Sequence, residues 1–284
     1  MTSEAVSVGK LLADARRRLG AGPGVALEAD LLLAHILNVD RAWLFANREQ
    51  DVLPSRQRAF RELIARRSDG EPIAYLVGER EFWSLSLRVS PAVLIPRPET
   101  ELLVETALQF IPVEAPWRVA DLGTGSGAIA LALACERPRC EVHATELSEA
   151  ALAIAARNIE AIAPGRVHLH CGSWLEPLQG LFQVIVANPP YVAADDPHLA
   201  TGDCRFEPTA ALTPGPDGLA AIRRIAHDAR SRLETGGLLA FEHGFDQGEA
   251  ARQLLRDLGY LRIETKQDLE GHERVTAGFK NSND

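Results

Sequence analysis

The chain has 284 residues, 46% of them hydrophobic and 24% charged, which excludes a disordered, collagenous or disulfide-stapled protein and allows one large domain or two modest ones. No apolar run is long enough to span a bilayer and the N-terminus carries no basic-then-apolar leader pattern, so a cytoplasmic protein away from membranes is expected. Residues 1–80 carry 12 Lys/Arg against 11 Asp/Glu and the remainder 18 against 28, an acidic body that argues against direct binding to duplex nucleic acid.

The first 70 residues read as helices. Val8, Leu11, Leu12, Ala15 and Leu19 recur at helical spacing, with Ser7 as the cap and Gly20 as the stop. Leu27, Leu31, Leu32, His35 and Ile36 predict a second helix, and Phe60, Leu63 and Ile64, after Ser55 as a cap, a third. Asp69-Gly70-Glu71-Pro72 breaks the pattern. The alternating runs of IAYLVGEREFWSLSLRVS predict a β-hairpin turning at Gly78-Glu79-Arg80, and Pro98 opens a helix through Leu108.

From Trp117 the chain alternates strand and helix: RVADLG, GSGAIALALACE, EVHATEL and SEAALAIAARNIEA in turn. RVHLHC, FQVIVANPP and GLLAFEHG are further strands, and LRIETKQDLEGHERVTAGF closes as an antiparallel edge hairpin. The fold class is α/β, a doubly wound and mostly parallel seven-stranded sheet, with a small N-terminal helical domain and a connecting β-hairpin. The expected boundaries are 1–72 helical, 73–92 hairpin linker and 93–284 sheet domain.

Gly123, Gly125 and Gly127 in Asp121-Leu122-Gly123-Thr124-Gly125-Ser126-Gly127 lie between the first sheet strand and its helix. They let the backbone turn sharply and a ligand approach, and the helix start presents free N–H groups. Glu146 ends the second strand, 19 residues after Gly127, where a carboxylate can accept both hydroxyl hydrogens of a ribose. Gly-x-Gly-x-Gly differs from the Gly-x-Gly-x-x-Gly of dinucleotide enzymes and favours S-adenosylmethionine over NAD.

Asn188-Pro189-Pro190-Tyr191 follows the strand FQVIVA at the carboxyl edge of the sheet. The two prolines stiffen the turn and remove two N–H donors. The Asn188 amide oxygen and the Pro189 carbonyl can accept both hydrogens of a planar NH₂ group, against which Tyr191 can pack. An amide nitrogen is a poor nucleophile because its lone pair is delocalised. Two acceptors on its N–H bonds favour rehybridisation and aim the lone pair at a sulfonium methyl, with proximity and alignment supplying most of the help.

With these pieces in place the chain resembles the class I S-adenosylmethionine-dependent methyltransferases and, within them, the HemK/PrmC family of release-factor glutamine methyltransferases. The resemblance rests on residues 70–101, 121–134, Glu146, Gly172-Ser173-Trp174, residues 182–192, Phe206-Glu207-Pro208 and Asp217-Gly218-Leu219, with IPRPETE the most family-specific segment. It implies methylation of the glutamine side-chain nitrogen in the Gly-Gly-Gln motif of class 1 peptide-chain release factors, and an N-terminal domain that helps hold them. It also implies that Gly123, Thr124, Gly125, Ser126, Gly127, Glu146, Trp174 and Asn188 bind the cofactor. Asn188, Pro189, Pro190 and Tyr191 would hold the glutamine amide, with Asn188, Pro189 and Tyr191 catalytic. Many members have Asp at the position of Glu146.

Other readings share parts of this pattern. A ribosomal-protein glutamine methyltransferase would have the same turn without IPRPETE, and an adenine-N6 nucleic-acid methyltransferase would bring a basic cleft. An intact Asn188 and an intact glycine loop speak against a binding module that has kept the fold, and failure to bind S-adenosylmethionine would favour a dinucleotide oxidoreductase. The four cysteines form no Cys-x-x-Cys pair and no histidine cluster accompanies them, so reduced thiols and no metal are expected. Arg97 and Glu99 suggest pocket ordering or an inter-domain ion pair, and the arginines from Arg56 to Arg67 a solvated helix face. Phe82 and Trp83 suggest hairpin packing, and His243 is noted only as following a strand.

Overall fold

The computed structural model describes residues 6–281 except Pro216, so residues 1–5 and 282–284 of the expected domains lie outside the described residues. The chain divides into two compact units, Met1–Gly78 and Glu79–Asp284. No described helix is long and apolar enough to cross a membrane.

The first unit holds β1 (Val6–Ser7), α1 (Val8–Leu19), α2 (Val25–Leu37), α3 (Arg41–Ala46), β2 (Asp51–Val52), α4 (Pro54–Ser68) and α5 (Ile73–Val77). Ser7 caps α1 by accepting from the Lys10 N–H, and Gly20 ends it at φ 88°. Three expectations change. Ser55 lies inside α4, which starts on Pro54, a residue suited to the first turn. Asp40 caps α3, a helix too short to show a period. In α2 the buried stripe is Ala29, Leu32 and Leu33, while Leu27 and Leu31 stand exposed, because a helix apolar on most sides leaves its inner face undecided.

The second unit opens with β3 (Glu79–Phe82) and β4 (Leu85–Arg88). The hairpin turns at Trp83-Ser84, both at positive φ, rather than at Gly78-Glu79-Arg80. IAYLV forms the short helix α5, which Gly78 ends in the left-handed conformation, so the first half of the expected hairpin is helical. Phe82 and Leu87 are buried in the core of the second unit, which makes the hairpin part of that unit and not a free-standing linker. Trp83 Nε1 donates to Glu136 Oε1 at 2.9 Å.

Then follow α6 (Glu101–Phe110), β5 (Arg118–Leu122), α7 (Ala128–Glu136), β6 (Glu141–Glu146), α8 (Glu149–Ile162), β7 (Val167–Cys171) and β8 (Phe182–Ala187). The unit closes with α9 (Thr209–Leu212), α10 (Ala220–Arg232), β9 (Leu233–Glu242), α11 (Gly248–Asp257), β10 (Leu261–Gln267) and β11 (Glu273–Phe279). The sheet order is β10-β11-β9-β8-β5-β6-β7, parallel except for β11, which runs against both β9 and β10.

Alternate residues of the central strands feed opposite faces. Val119, Val184, Leu238 and Ala240 join the core with α6, α7 and α8, while Ala120, Ile185, Leu239 and Phe241 join the core with α10 and α11. The chain leaves β5 toward β6 and β7, then returns to place β8 on the other side of β5. That reversal opens a crevice at the carboxyl ends of β5 and β8, where open α/β sheets bind ligands.

Candidate active site

The loop after β5 is a turn that side chains would obstruct. Gly123, Gly125 and Gly127 sit at φ 73°, 57° and 87°, and a Cβ on Gly123 would meet Cζ3 of Trp174 at 2.9 Å. Gly123 and Thr124 donate their N–H groups to the Thr145 carbonyl at the end of β6, which pins the loop to the sheet. Glu146 folds back onto it: Oε2 accepts from the Gly125 N–H at 3.0 Å and Oε1 from the Ser148 N–H at 2.8 Å.

Beneath the loop, Asp121 is fully buried. Its Oδ2 accepts from Thr124 Oγ1 at 2.6 Å and from the Ala130 N–H at 3.1 Å, while Oδ1 is buried without a partner. Burial pushes its pKa up to about 6, with the bonds from Thr124 and Ala130 pulling the other way.

Asn158 of α8 is a residue that sequence reasoning missed. Its Nδ2 donates to the Ser126 carbonyl at 2.8 Å and to the Arg88 carbonyl at 3.0 Å, and its Oδ1 accepts from the Arg88 N–H at 2.9 Å. One buried amide thus ties the glycine loop to β4. An Asn on an apolar helix face is the sequence signal for such a role.

The turn after β8 is held from behind. Asn188 Nδ2 donates to Thr100 Oγ1 at 3.1 Å, and Tyr191 Oη donates to Glu242 Oε1 at 3.0 Å. Gln247 Nε2 donates to the Tyr191 carbonyl at 3.0 Å. Gly218 backs this arrangement at φ 67°, because a Cβ there would meet the Tyr191 carbonyl oxygen at 2.3 Å. Burial pushes Glu242 up, and the hydroxyls of Thr100 and Tyr191 oppose it; the Glu242 charge, with burial, holds the Tyr191 phenol far above its ordinary range.

Arg97 finds its partner inside the same unit. The buried Glu207 carboxylate accepts from Arg97 Nη2 and, at 3.0 Å, from the Ile95 N–H, which replaces the expected inter-domain pair. Burial raises Glu207 while Arg97 and the Ile95 N–H hold it down. The IPRPETE segment is thereby fastened to Phe206-Glu207-Pro208.

Both turns open on one cavity of about 430 Å³, a size suited to a small molecule. Gly123, Thr124, Gly125, Ser126, Glu146, Trp174, Asn188 and Pro190 line it. Gly127 caps α7 beneath the loop. Pro189 is buried and Tyr191 packs against the core with its hydroxyl turned to Glu242, and neither is among the residues that line the cavity. Trp174 takes φ 47°, an uncommon conformation for a tryptophan, with its ring against Gly123.

The histidines also depart from expectation. His143, His168 and His170 stack together near Glu141 and Arg118, because the β6–β7 register sets His143 beside His168. Among the described residues no group of His, Cys, Asp and Glu side chains is arranged to hold a metal ion. His243 is a core residue: Nδ1 donates to the Gly244 carbonyl at 2.8 Å, so Nε2 accepts from Thr276 at 2.8 Å.

A doubly wound sheet with a glycine loop after its first parallel strand, an acid closing the second and Asn-Pro-Pro-Tyr closing the fourth defines a class I methyltransferase. Residues 10–78 match the PrmC N-terminal domain and residues 98–211 the methyltransferase small domain. The chain is 52% identical over 253 residues to the release factor glutamine methyltransferase of Xylella fastidiosa (strain Temecula1), covering 89% of this chain and 92% of that one. It is 46% identical over 268 residues to the Escherichia coli (strain K12) protein of the same description, covering 94% and 96%. A solved methyltransferase from Pyrococcus furiosus superposes with a TM-score of 0.55 at 19% identity, over 81% of this chain and 100% of that chain, a likeness of fold. The chain belongs to the release factor glutamine methyltransferase family.

Proposed function

We propose that this protein transfers a methyl group from S-adenosyl-L-methionine to the side-chain nitrogen of the Gly-Gly-Gln glutamine in class 1 peptide-chain release factors, in the cytoplasm. S-Adenosyl-L-homocysteine is the second product. The observation that carries the proposal is that Asn188 lines the same cavity as the glycine loop with its Nδ2 already engaged by Thr100. Its Oδ1 is the end left to accept from an incoming amide.

The residues fit the cofactor. The glycine loop and Trp174 form a wall that a Cβ on Gly123 would fill, Glu146 lines it as a hydroxyl acceptor, and buried Asp121 offers an unpaired oxygen beneath. S-Adenosylmethionine, when bound, supplies an electrophilic methyl on a sulfonium. Asn188 Oδ1 accepts from an N–H of the glutamine amide and turns its lone pair toward the cavity. No base precedes attack; one N–H proton leaves for each methyl gained.

We assign the N-terminal helical unit to holding the release factor. Leu27, Leu31, Phe45 and Leu53 are apolar and exposed on it, as a protein-binding surface requires. The test is mass spectrometry of an unmethylated class 1 release factor after incubation with this protein and S-adenosylmethionine. One added methyl on the Gly-Gly-Gln glutamine, absent with Asn188→Ala, is the expected result. No added methyl despite measurable cofactor binding would overturn the substrate.

A further inference from the structure

Glu207 has a side chain that is 0% exposed, and it is not among the residues that line the cavity. Its carboxylate reaches back 110 and 112 residues along the chain, where it accepts from Arg97 Nη2 and from the Ile95 N–H. From this carboxylate two routes lead to the two ends of the turn after β8. On the first, the Arg97 carbonyl accepts from the Thr100 N–H at 3.1 Å and closes the single turn Pro98–Thr100. Thr100 Oγ1 then accepts from Asn188 Nδ2 at 3.1 Å. The second runs through Pro208 along α9, whose last residue, Leu212, accepts through its carbonyl from the Val192 N–H at 2.9 Å.

Asn188 and Val192 bracket Pro189-Pro190-Tyr191, so the contacts form a closed circuit around the turn. Glu207 is the point where its two halves meet. Both halves face the cavity, one with Pro96, Arg97 and Thr100 and the other with Pro208, Ala210 and Ala211.

We propose that Glu207 is a positioning residue for methyl transfer, which joins the two halves of this circuit and thereby fixes where Asn188 meets the incoming glutamine amide. The proposal rests on Asn188 as the holder of that amide. A carboxylate suits the junction because it brings two acceptor oxygens, no donor and a charge that offsets the Arg97 guanidinium. Each oxygen has one partner: Oε1 takes the Ile95 N–H and Oε2 takes Arg97. An amide in the same place could accept only one of them, and a buried ion pair that loses one member leaves the other uncompensated.

The circuit matters to rate because the reacting atoms must be aligned, and a misplacement of about 1 Å costs on the order of a hundredfold. The glycine loop is held separately, by the Thr145 carbonyl, Glu146 and Asn158. Opening the circuit at Glu207 should therefore slow transfer while the cofactor stays bound.

Glu207→Gln keeps the size of the side chain but sets an NH₂ group against the guanidinium. The test measures S-adenosylmethionine affinity and single-turnover transfer to an unmethylated class 1 release factor, at saturating cofactor and per cofactor-binding site. The expected result is transfer slower by about tenfold to a hundredfold, with the dissociation constant within about threefold of the parent. Thr100→Val opens the circuit at its other weak point and should be slowed to a similar degree. Adding Glu207→Gln to Thr100→Val should then slow transfer by less than about threefold more, because a circuit already open is not opened again.

A parent-like rate in Glu207→Gln, or losses that multiply in the double variant, would overturn the proposal. If Glu207→Gln does not fold, Arg97→Gln cuts the same bond from its more exposed end; it should show the same slowing, and a parent-like rate there would overturn the proposal too. Asn188→Ala, measured alongside, separates the two levels. Slow transfer in Asn188→Ala beside a parent-like Glu207→Gln removes only the role of Glu207, whereas unchanged transfer in Asn188→Ala removes the amide-holding site and this proposal with it.

Discussion

The two turns that meet at the crevice are built in opposite ways. The loop after β5 uses three glycines at positive φ to turn its backbone along the cavity, with the Gly123 and Thr124 N–H groups bonded to the Thr145 carbonyl and that of Gly125 to Glu146. The turn after β8 uses two prolines, which carry no N–H, and leaves an amide oxygen as its working group. One is a side-chain-free backbone turn over a buried acid; the other is a surface of acceptors backed by hydroxyls. The difference matches two ligands of opposite need: one with carboxylate and hydroxyl groups, the other with an NH₂ group to be held by its hydrogens.

That contrast can be strained from the donor side. The largest loss is expected from Gly123→Ala, whose Cβ would strike the Trp174 ring at 2.9 Å from a left-handed backbone. Cofactor affinity, followed by isothermal titration, should fall by about tenfold to a hundredfold, with any released Trp174 motion visible in its fluorescence. Asn158→Ala comes next. It leaves Arg88 and Ser126 groups buried without partners and should cost roughly 3 kcal/mol in urea denaturation, with weakened cofactor binding as the loop loosens. Gly125→Ala is the milder companion to Gly123→Ala. Nothing lies within 4 Å of its Cβ, so only the positive φ opposes it, at about 1 kcal/mol. Equal effects from the two glycine variants would remove Trp174 as a wall of the site.

The smallest effect is a pH dependence. Burial raises Asp121 from 3.8 to about 6 in the folded chain, so as pH rises the unfolded chain loses this proton first. The folded state therefore loses stability between about pH 4 and pH 6 on account of this group. Asp121→Asn should flatten that decline, seen as a stability relative to the parent that improves from pH 4 to pH 7. A constant difference between the two proteins across that range would contradict the assignment.

Much of this was legible in the chain because it depends on local chemistry. Glycines at positive φ, prolines that remove donors and strands buried on both faces leave marks in a sequence, and the parallel sheet with its edge hairpin follows from them. The supporting residues leave weaker marks. Thr100, Asn158 and Glu242 act across 88, 70 and 51 residues of chain, and nothing local distinguishes a polar side chain that will meet such a partner. Glu242 had one signal, an acid directly after the apolar run Leu238–Phe241. The hairpin was misplaced because Trp83 and Ser84 adopt the turn conformation that glycine favours, while Gly78 was already committed to ending α5. The bond from Tyr191 to the buried Glu242 joins residues 51 apart and has no local mark in the sequence.

The division of labour between the two turns is tested most directly by measuring cofactor affinity and single-turnover methyl transfer in the same Asn188→Ala protein. A dissociation constant for S-adenosylmethionine within about threefold of the parent, with transfer to the release-factor glutamine slowed by about a hundredfold or more, is the predicted result. Loss of cofactor binding with transfer preserved at saturating cofactor would contradict it, and would place Asn188 with the donor loop.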